Sequence, residues 1–216
     1  MSRSTKLRVE RLLWIVAAVA LAVYANGWLR SSIYQWYANW SFVRNLNGQP
    51  VSAQQFALDL LRNPNLPAPP VDANNRLPSA PAPEMWRLEI PRIDLSVIVN
   101  EGTGRESLAR GVGHIEGTAL PGAAGNAGLA GHRDTYFRHL GELVPGDAIR
   151  IVSLDGIHEY AVGKISIVEP SAIEVLRDTG SPSLTLVTCY PFWTLGRAPK
   201  RYIVHANLIS KPWLSD

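Results

Sequence analysis

Eighteen consecutive residues, LLWIVAAVALAVYANGWL from Leu12 to Leu29, carry no charge. A helix of that length extends about 27 Å, close to the thickness of a bilayer's hydrocarbon core. Arg3, Lys6, Arg8 and Arg11 precede the run, against one acid, Glu10. Such an excess keeps its own end in the cytoplasm and sends the remainder of the chain outside. Trp28, Tyr34, Trp36, Tyr37 and Trp40 follow and read as an interfacial aromatic belt. The competing reading is a cleaved signal peptide, because small-x-small triplets occur at Ala18-Val19-Ala20 and Ala20-Leu21-Ala22. The apolar run continues past both triplets, which favours a retained single-pass anchor over 12–29 behind a basic tail over 1–11. Either export reading leaves the rest of the chain extracytoplasmic.

Beyond the anchor the pattern changes twice. Residues 30–62 are loosely helical, with Phe42, Val43 and Leu46 and then Phe56, Leu58, Leu60 and Leu61 as apolar points. Gly48-Gln49-Pro50 is expected to divide them into two helices. Residues 63–83 hold seven prolines in 21 positions, a composition that favours an extended spacer over a packed core. From residue 84 onward short alternating runs take over. WRLEI (86–90), LSVIV (95–99), DAIRIVS (147–153), HEYAVGKISIV (158–168), LTLVTC (184–189) and RYIVHANLI (201–209) read as strands. Asp155-Gly156 marks a hairpin between the third and fourth of these. One helical stretch, Ser171 to Arg177, lies between strands. Six or more strands with frequent glycine turns predict an all-β sandwich or closed barrel over 84–216.

Bulk properties narrow the function. The net charge is +3, yet no sustained Lys/Arg stripe appears outside the N-terminal tail, so no nucleic-acid partner is expected. One cysteine, Cys189, excludes an intrachain disulfide and a Cys-rich zinc site. Glu101, Glu106, Glu116 and Glu174 form no recognisable calcium-ligand series, so neither a metal nor another cofactor is expected.

Cys189 closes a β-branched apolar run and is followed by Tyr190 and Pro191. A thiol of ordinary pKa is only a few per cent thiolate at pH 7, so a nucleophilic one needs a base or cation nearby. Of five histidines, His158 and His205 lie in strand-like runs and His139 in a polar turn. His114 and His132 sit in the glycine-rich contexts GVGHIEG and LAGHRDT, where small neighbours admit a substrate. Residue type alone separates these two only weakly.

TLVTC, followed by PKR and a strand, with NAGLAGHRD upstream, resembles the sortase family of cysteine transpeptidases over roughly Trp86 to Ile209. GVGHIEGTALPG (111–122) belongs to the same likeness. GHRDTYF and TCYPFWTLGRAPKR look most like the class D branch. The resemblance implies a closed eight-stranded β-barrel with short helices behind a transmembrane helix. It also implies Cys189 as nucleophile, His132 as general acid/base and Arg201 as the cation that orients substrate or stabilises the transition state, with Lys200 and Arg197 as nearby alternatives. Thr188 could contact the oxyanion or serve only as a strand residue. Ile173, Val175 and Leu176 could wall a pocket for the Leu-Pro part of a sorting signal, or pack on the barrel. Asp134 could orient His132 or cap a loop, and Asn126 is expected in a turn. The implied partners are proteins with a C-terminal LPxT-type signal and an amine acceptor, such as a peptidoglycan precursor or a pilin lysine.

Two other classes remain in view. An L,D-transpeptidase would carry Ser-x-Gly-Cys, whereas Val187 and Thr188 precede Cys189 here. A non-catalytic adhesion module would bury Cys189 as a small hydrophobe.

Overall fold

Helix α1 (Arg3–Leu46) runs without a break from the basic tail through the apolar segment and onto the body of the protein. The computed structural model describes residues 3–62, 86–194 and 196–210. The proline-rich 63–83 stretch lies outside them. Residues 9–30 of α1 are exposed throughout, with no other part of the described chain covering this apolar stretch. Toward its end the helix becomes amphipathic in use, burying Ala38, Phe42, Val43 and Leu46. The expected break falls at Gly48, which has φ +63°, and α2 (Ala53–Arg62) follows. Trp40 and Phe56 join the two helices by edge-on ring packing, with Trp40 Nε1 donating to Asp59. Trp40 is therefore buried in protein, and Tyr34 donates to Asn100. Those two residues do not form part of a lipid-facing belt.

Eight strands close a barrel. They are β1 (Trp86–Ile90), β2 (Leu95–Glu101), β3 (Val112–His114), β4 (Asn126–Ala130), β5 (Ala148–Ser153), β6 (Gly156–Val168), β7 (Ser183–Tyr190) and β8 (Lys200–Ser210). Their order around the barrel is β1-β2-β3-β4-β7-β8-β6-β5. Side-chain alternation fills the interior with Leu88, Val97, Leu129, Ile151, Leu184, Leu186 and Val204. The β5–β6 hairpin turns on Leu154-Asp155, since Ser153 pairs with Gly156, one residue earlier than the Asp-Gly signal implies.

Alternation alone finds six of the eight strands. β3 and β4 read as VGH and NAGLA, in which glycine suggests turns. Their glycines instead permit close approach: a Cβ on Gly113 would meet the Gly102 carbonyl at 2.3 Å, and one on Gly128 would meet Leu176 Cδ2 at 3.0 Å. The short helix α3 (Arg105–Arg110) between β2 and β3 likewise has no apolar periodicity to announce it.

The C-terminal part of α1 covers the outer wall formed by β2, β1 and β5. Gln35 accepts from the Ile98 amide, Asn39 accepts from Arg87, and Phe42, Val43 and Leu46 pack on Ile98 and Val152. Ile98 and Val152 are both register partners of Arg87, so the helix crosses the strands and does not run along them. Arg87 is buried, and that burial lowers its pKa despite the adjacent Glu89. Its guanidinium also lies 5.3 Å from the centre of the Phe42 ring.

Candidate active site

Parity along three neighbouring strands gathers the site. In β7 the inward residues are Leu184 and Leu186, so Thr185, Val187 and Cys189 face outward. In β8, Tyr202, Val204 and Ala206 point inward, leaving Arg201, Ile203 and His205 on the outer face. Cys189 and Arg201 are direct register partners, and directly opposed residues present their side chains on one face. Lys200 pairs with Tyr190 and belongs to the other parity; its ammonium lies 3.8 Å from Glu169. Arg197 is exposed in the loop before β8. The register therefore places Arg201, not Lys200, beside the thiol.

β4 runs parallel to β7 with Ala130 level with Val187. The ladder continues one step further, because the Gly131 amide donates to the Val187 carbonyl at 3.2 Å. His132 follows at once, one residue beyond the last backbone contact between β4 and the strand that carries Cys189. Cys189 and Arg201 are half-buried and His132 is exposed, so the thiol opens onto the surface and is not a core hydrophobe. Among the described residues the His132 ring has no hydrogen-bond partner and Arg201 no carboxylate partner. Arg201 instead donates to the Lys200 carbonyl at 3.1 Å.

The other histidines are accounted for. His114 is buried, with Nδ1 3.0 Å from Glu101 and Nε2 3.0 Å from the Ala119 carbonyl. His139 bonds Glu142, and His158 is buried near Asp155. His205 bonds the Thr185 hydroxyl at 2.9 Å, and its burial, then Lys164, lowers its pKa.

Three contacts hold the histidine loop. The Thr188 hydroxyl donates to the Gly131 carbonyl at 2.8 Å. Phe137 is buried beneath Gly131, where a Cβ would meet its ring at 2.7 Å, so only glycine fits. Arg133 donates to the carbonyls of Pro191, Thr194 and Gly196, binding the loop after His132 to the loop after Cys189. A planar guanidinium with several fixed donors suits such a cluster of carbonyls. Asp134 is exposed; its carbonyl accepts from Arg138, and its carboxylate has no partner among the described residues.

The Ser171–Arg177 stretch forms a 3-10 turn over Ile173–Leu176 beside β4. Ile173 is 77% exposed, whereas Leu176 packs toward Gly128. Asn126 is not in a turn. It is buried in β4 and donates to the carbonyls of Val175 and Arg177 while accepting from Thr185. It thus fastens this turn to the barrel. Asn126 and Arg133 escape sequence reasoning because their targets are backbone carbonyls, which leave no residue-type signature. The charged residue between His132 and Asp134 was the available signal for Arg133.

The family model described as the sortase domain matches residues 88–209. The chain belongs to the sortase family. Sortase D of Bacillus subtilis is 39% identical over 124 residues, covering 57% of this chain and 63% of that protein. Sortase SrtE1 of Streptomyces coelicolor is also 39% identical, covering 57% of this chain and 40% of that protein. The chain therefore spans less than two thirds of these curated relatives' length. Among solved structures, a Clostridium perfringens Sortase D5 transpeptidase superposes with TM-score 0.54 at 33% identity, covering 59% of this chain and 79% of that one. Sortase C1 of Streptococcus agalactiae gives 0.55 at 32%, covering 58% and 69%. The sortase barrel is closed and eight-stranded here, as the resemblance implied, and the class D likeness of the motifs is matched by two of these relatives.

Proposed function

We propose that this sortase is a membrane-anchored cysteine transpeptidase whose reaction centre is Cys189, His132 and Arg201. The observation that carries the reading is the pairing of Cys189 with Arg201 across β7 and β8, with His132 at the end of β4 alongside. The Cys189 thiolate attacks the carbonyl carbon of the threonine in an LPxT-type signal. The oxyanion that forms is stabilised by the Arg201 guanidinium, whose charge no carboxylate neutralises among the described residues. His132, as imidazolium, protonates the departing amine as the C–N bond breaks, leaving a thioester on Cys189. Neutral His132 then takes a proton from an acceptor amine, which attacks the thioester and expels the thiolate.

The outer face of β4, β7 and β8 supplies the floor of a groove for an extended chain, and exposed Ile173 supplies an apolar contact for the signal. Leu176 and Val175 anchor the wall that carries it. Thr188 and Arg133 act as positioning residues, since their donors are spent on backbone carbonyls. The helix over 12–29 anchors the enzyme with its N-terminus in the cytoplasm, and 63–83 serves as a linker to the catalytic region over 84–216. Acceptors in keeping with the family are a peptidoglycan-precursor amine or a pilin lysine.

The test is product partition. Full-length protein in detergent, given an LPxT-containing peptide and increasing amounts of an amine, should shift product from hydrolysed peptide to amine conjugate, with no turnover by Cys189→Ala. Cleavage that persists in Cys189→Ala would refute the proposal.

A further inference from the structure

The continuous α1 fixes more than attachment, because one of its residues just past the apolar run touches the loop that carries His132. Ser31 Oγ lies 2.5 Å from the Tyr136 hydroxyl, and that hydroxyl also donates to the Arg110 carbonyl at 3.1 Å. Ser31 stands two residues beyond Leu29, about 3 Å along the helix axis. The headgroup layer on each side of a bilayer is about 5–8 Å deep, so Ser31 and its partner fall within it.

The rest of α1 sets the direction away from the membrane. Its contacts pass from Tyr136 and Arg110 through Ile98 and Arg87 to Val152, Leu154 and Ile157. From Ser31 to Leu46 this is about 22 Å of helix rise. The barrel therefore has a near side, formed by the Tyr136 loop and α3, and a far side at the β5–β6 turn. His132 is four residues from Tyr136, which places it within about 14 Å of Tyr136 by chain length alone.

We propose that the loop from His132 to His139 rests in the phospholipid headgroup layer. Tyr136 packs its ring on the barrel core and gives its hydroxyl to Ser31 and Arg110, so it pins the loop to the helix at that depth, while exposed Arg30 and Arg138 reach lipid phosphates. Arg110 is paired with Glu106 and contributes shape more than charge. This arrangement rests on the membrane-anchor reading above. It makes the catalytic cleft one that receives chains presented at the membrane surface.

Depth measurements test it on the full chain. In Cys189→Ala background, a nitroxide is placed singly at Val19, Thr135 or Gln49, all exposed, with Arg138→Cys as a second point on the loop. In phospholipid nanodiscs, collisional relaxation by oxygen and by a water-soluble nickel chelate gives the depth of each label. Val19 should lie in hydrocarbon, Thr135 and Arg138→Cys near the phosphates, and Gln49 about 20 Å further out in water. If Val19 is in hydrocarbon while both loop labels are as aqueous as Gln49, the loop stands clear and the proposal fails with the anchor intact. If Val19 is aqueous, the anchor reading fails and this proposal with it. Dipolar broadening at Thr135 between copies would assign the face to a second chain and overturn the lipid contact.

Discussion

The Thr188 hydroxyl donates to the Gly131 carbonyl at 2.8 Å, joining the residue before the proposed nucleophile to the residue before the proposed acid/base. Thr188 is buried, and its bond sits beside the Gly131 amide's own bond to Val187. Two adjacent strands are thus locked at the point where Cys189 and His132 emerge from them.

Thr188→Val keeps the side-chain shape and leaves the Gly131 carbonyl without this donor. An unsatisfied buried acceptor costs about 1–2 kcal/mol, measurable by urea denaturation. The turnover number should fall about tenfold as His132 drifts from Cys189, since small misplacements carry large rate penalties.

Asn126→Ala removes two donors to the turn that bears Ile173 and one acceptor for Thr185. The proposed reaction centre lies at the other end of β4, so the expected kinetic signature is split. KM for the signal peptide rises about tenfold while kcat stays within about twofold, the pattern of a lost uniform binding contribution. Equal falls in kcat and kcat/KM would contradict this role.

The barrel depends on α1 as well as on its own core. A chain beginning at residue 64 would uncover Ile98 and Val152 and strip buried Arg87 of both Asn39 and Phe42. Losing such packing costs about 3 kcal/mol or more, near 10 °C in melting temperature at this size. A chain beginning at residue 30 should melt at the higher temperature and stay monomeric, whereas the shorter one should aggregate through the bared wall.

At the β5–β6 turn, the hydrogen bond from His158 lowers the Asp155 pKa to about 2, with Ser153 adding to the effect. A carboxylate depressed on folding stabilises the fold above its unfolded pKa, near 4, and that contribution disappears as pH falls toward 2. Asp155 is largely exposed, so screening limits the effect to about 1 kcal/mol or less. Melting curves of Asp155→Asn should be flatter than those of the parent chain between pH 4 and pH 2.

Much of this architecture was legible in residue patterns. β1, β2 and β5 to β8 announce themselves by alternation, since each has one face in the barrel core. Cys189, His132 and Arg201 stand in motifs that name them as candidates by likeness, and the β7–β8 register sets Arg201 opposite Cys189. β3 and β4 stayed hidden because glycine serves there to let Gly102 and Leu176 approach, a use that looks the same in sequence as a turn. Trp40 and Tyr34 read as belt residues in the sequence, yet their rings face α2 and the Arg110–Asn100 surface. Both differences come from tertiary partners, which periodicity along one segment does not encode.

The central claim is a thioester on Cys189. Full-length protein incubated briefly with an LPxT-containing peptide and quenched in acid should gain the mass of the peptide up to threonine. Peptide mapping should place the adduct on Cys189, and hydroxylamine should remove it; Cys189→Ala should show none. A folded chain with a reduced thiol that forms no adduct, and whose Cys189 resists alkylation, would contradict the account and make this barrel a non-catalytic member of its family.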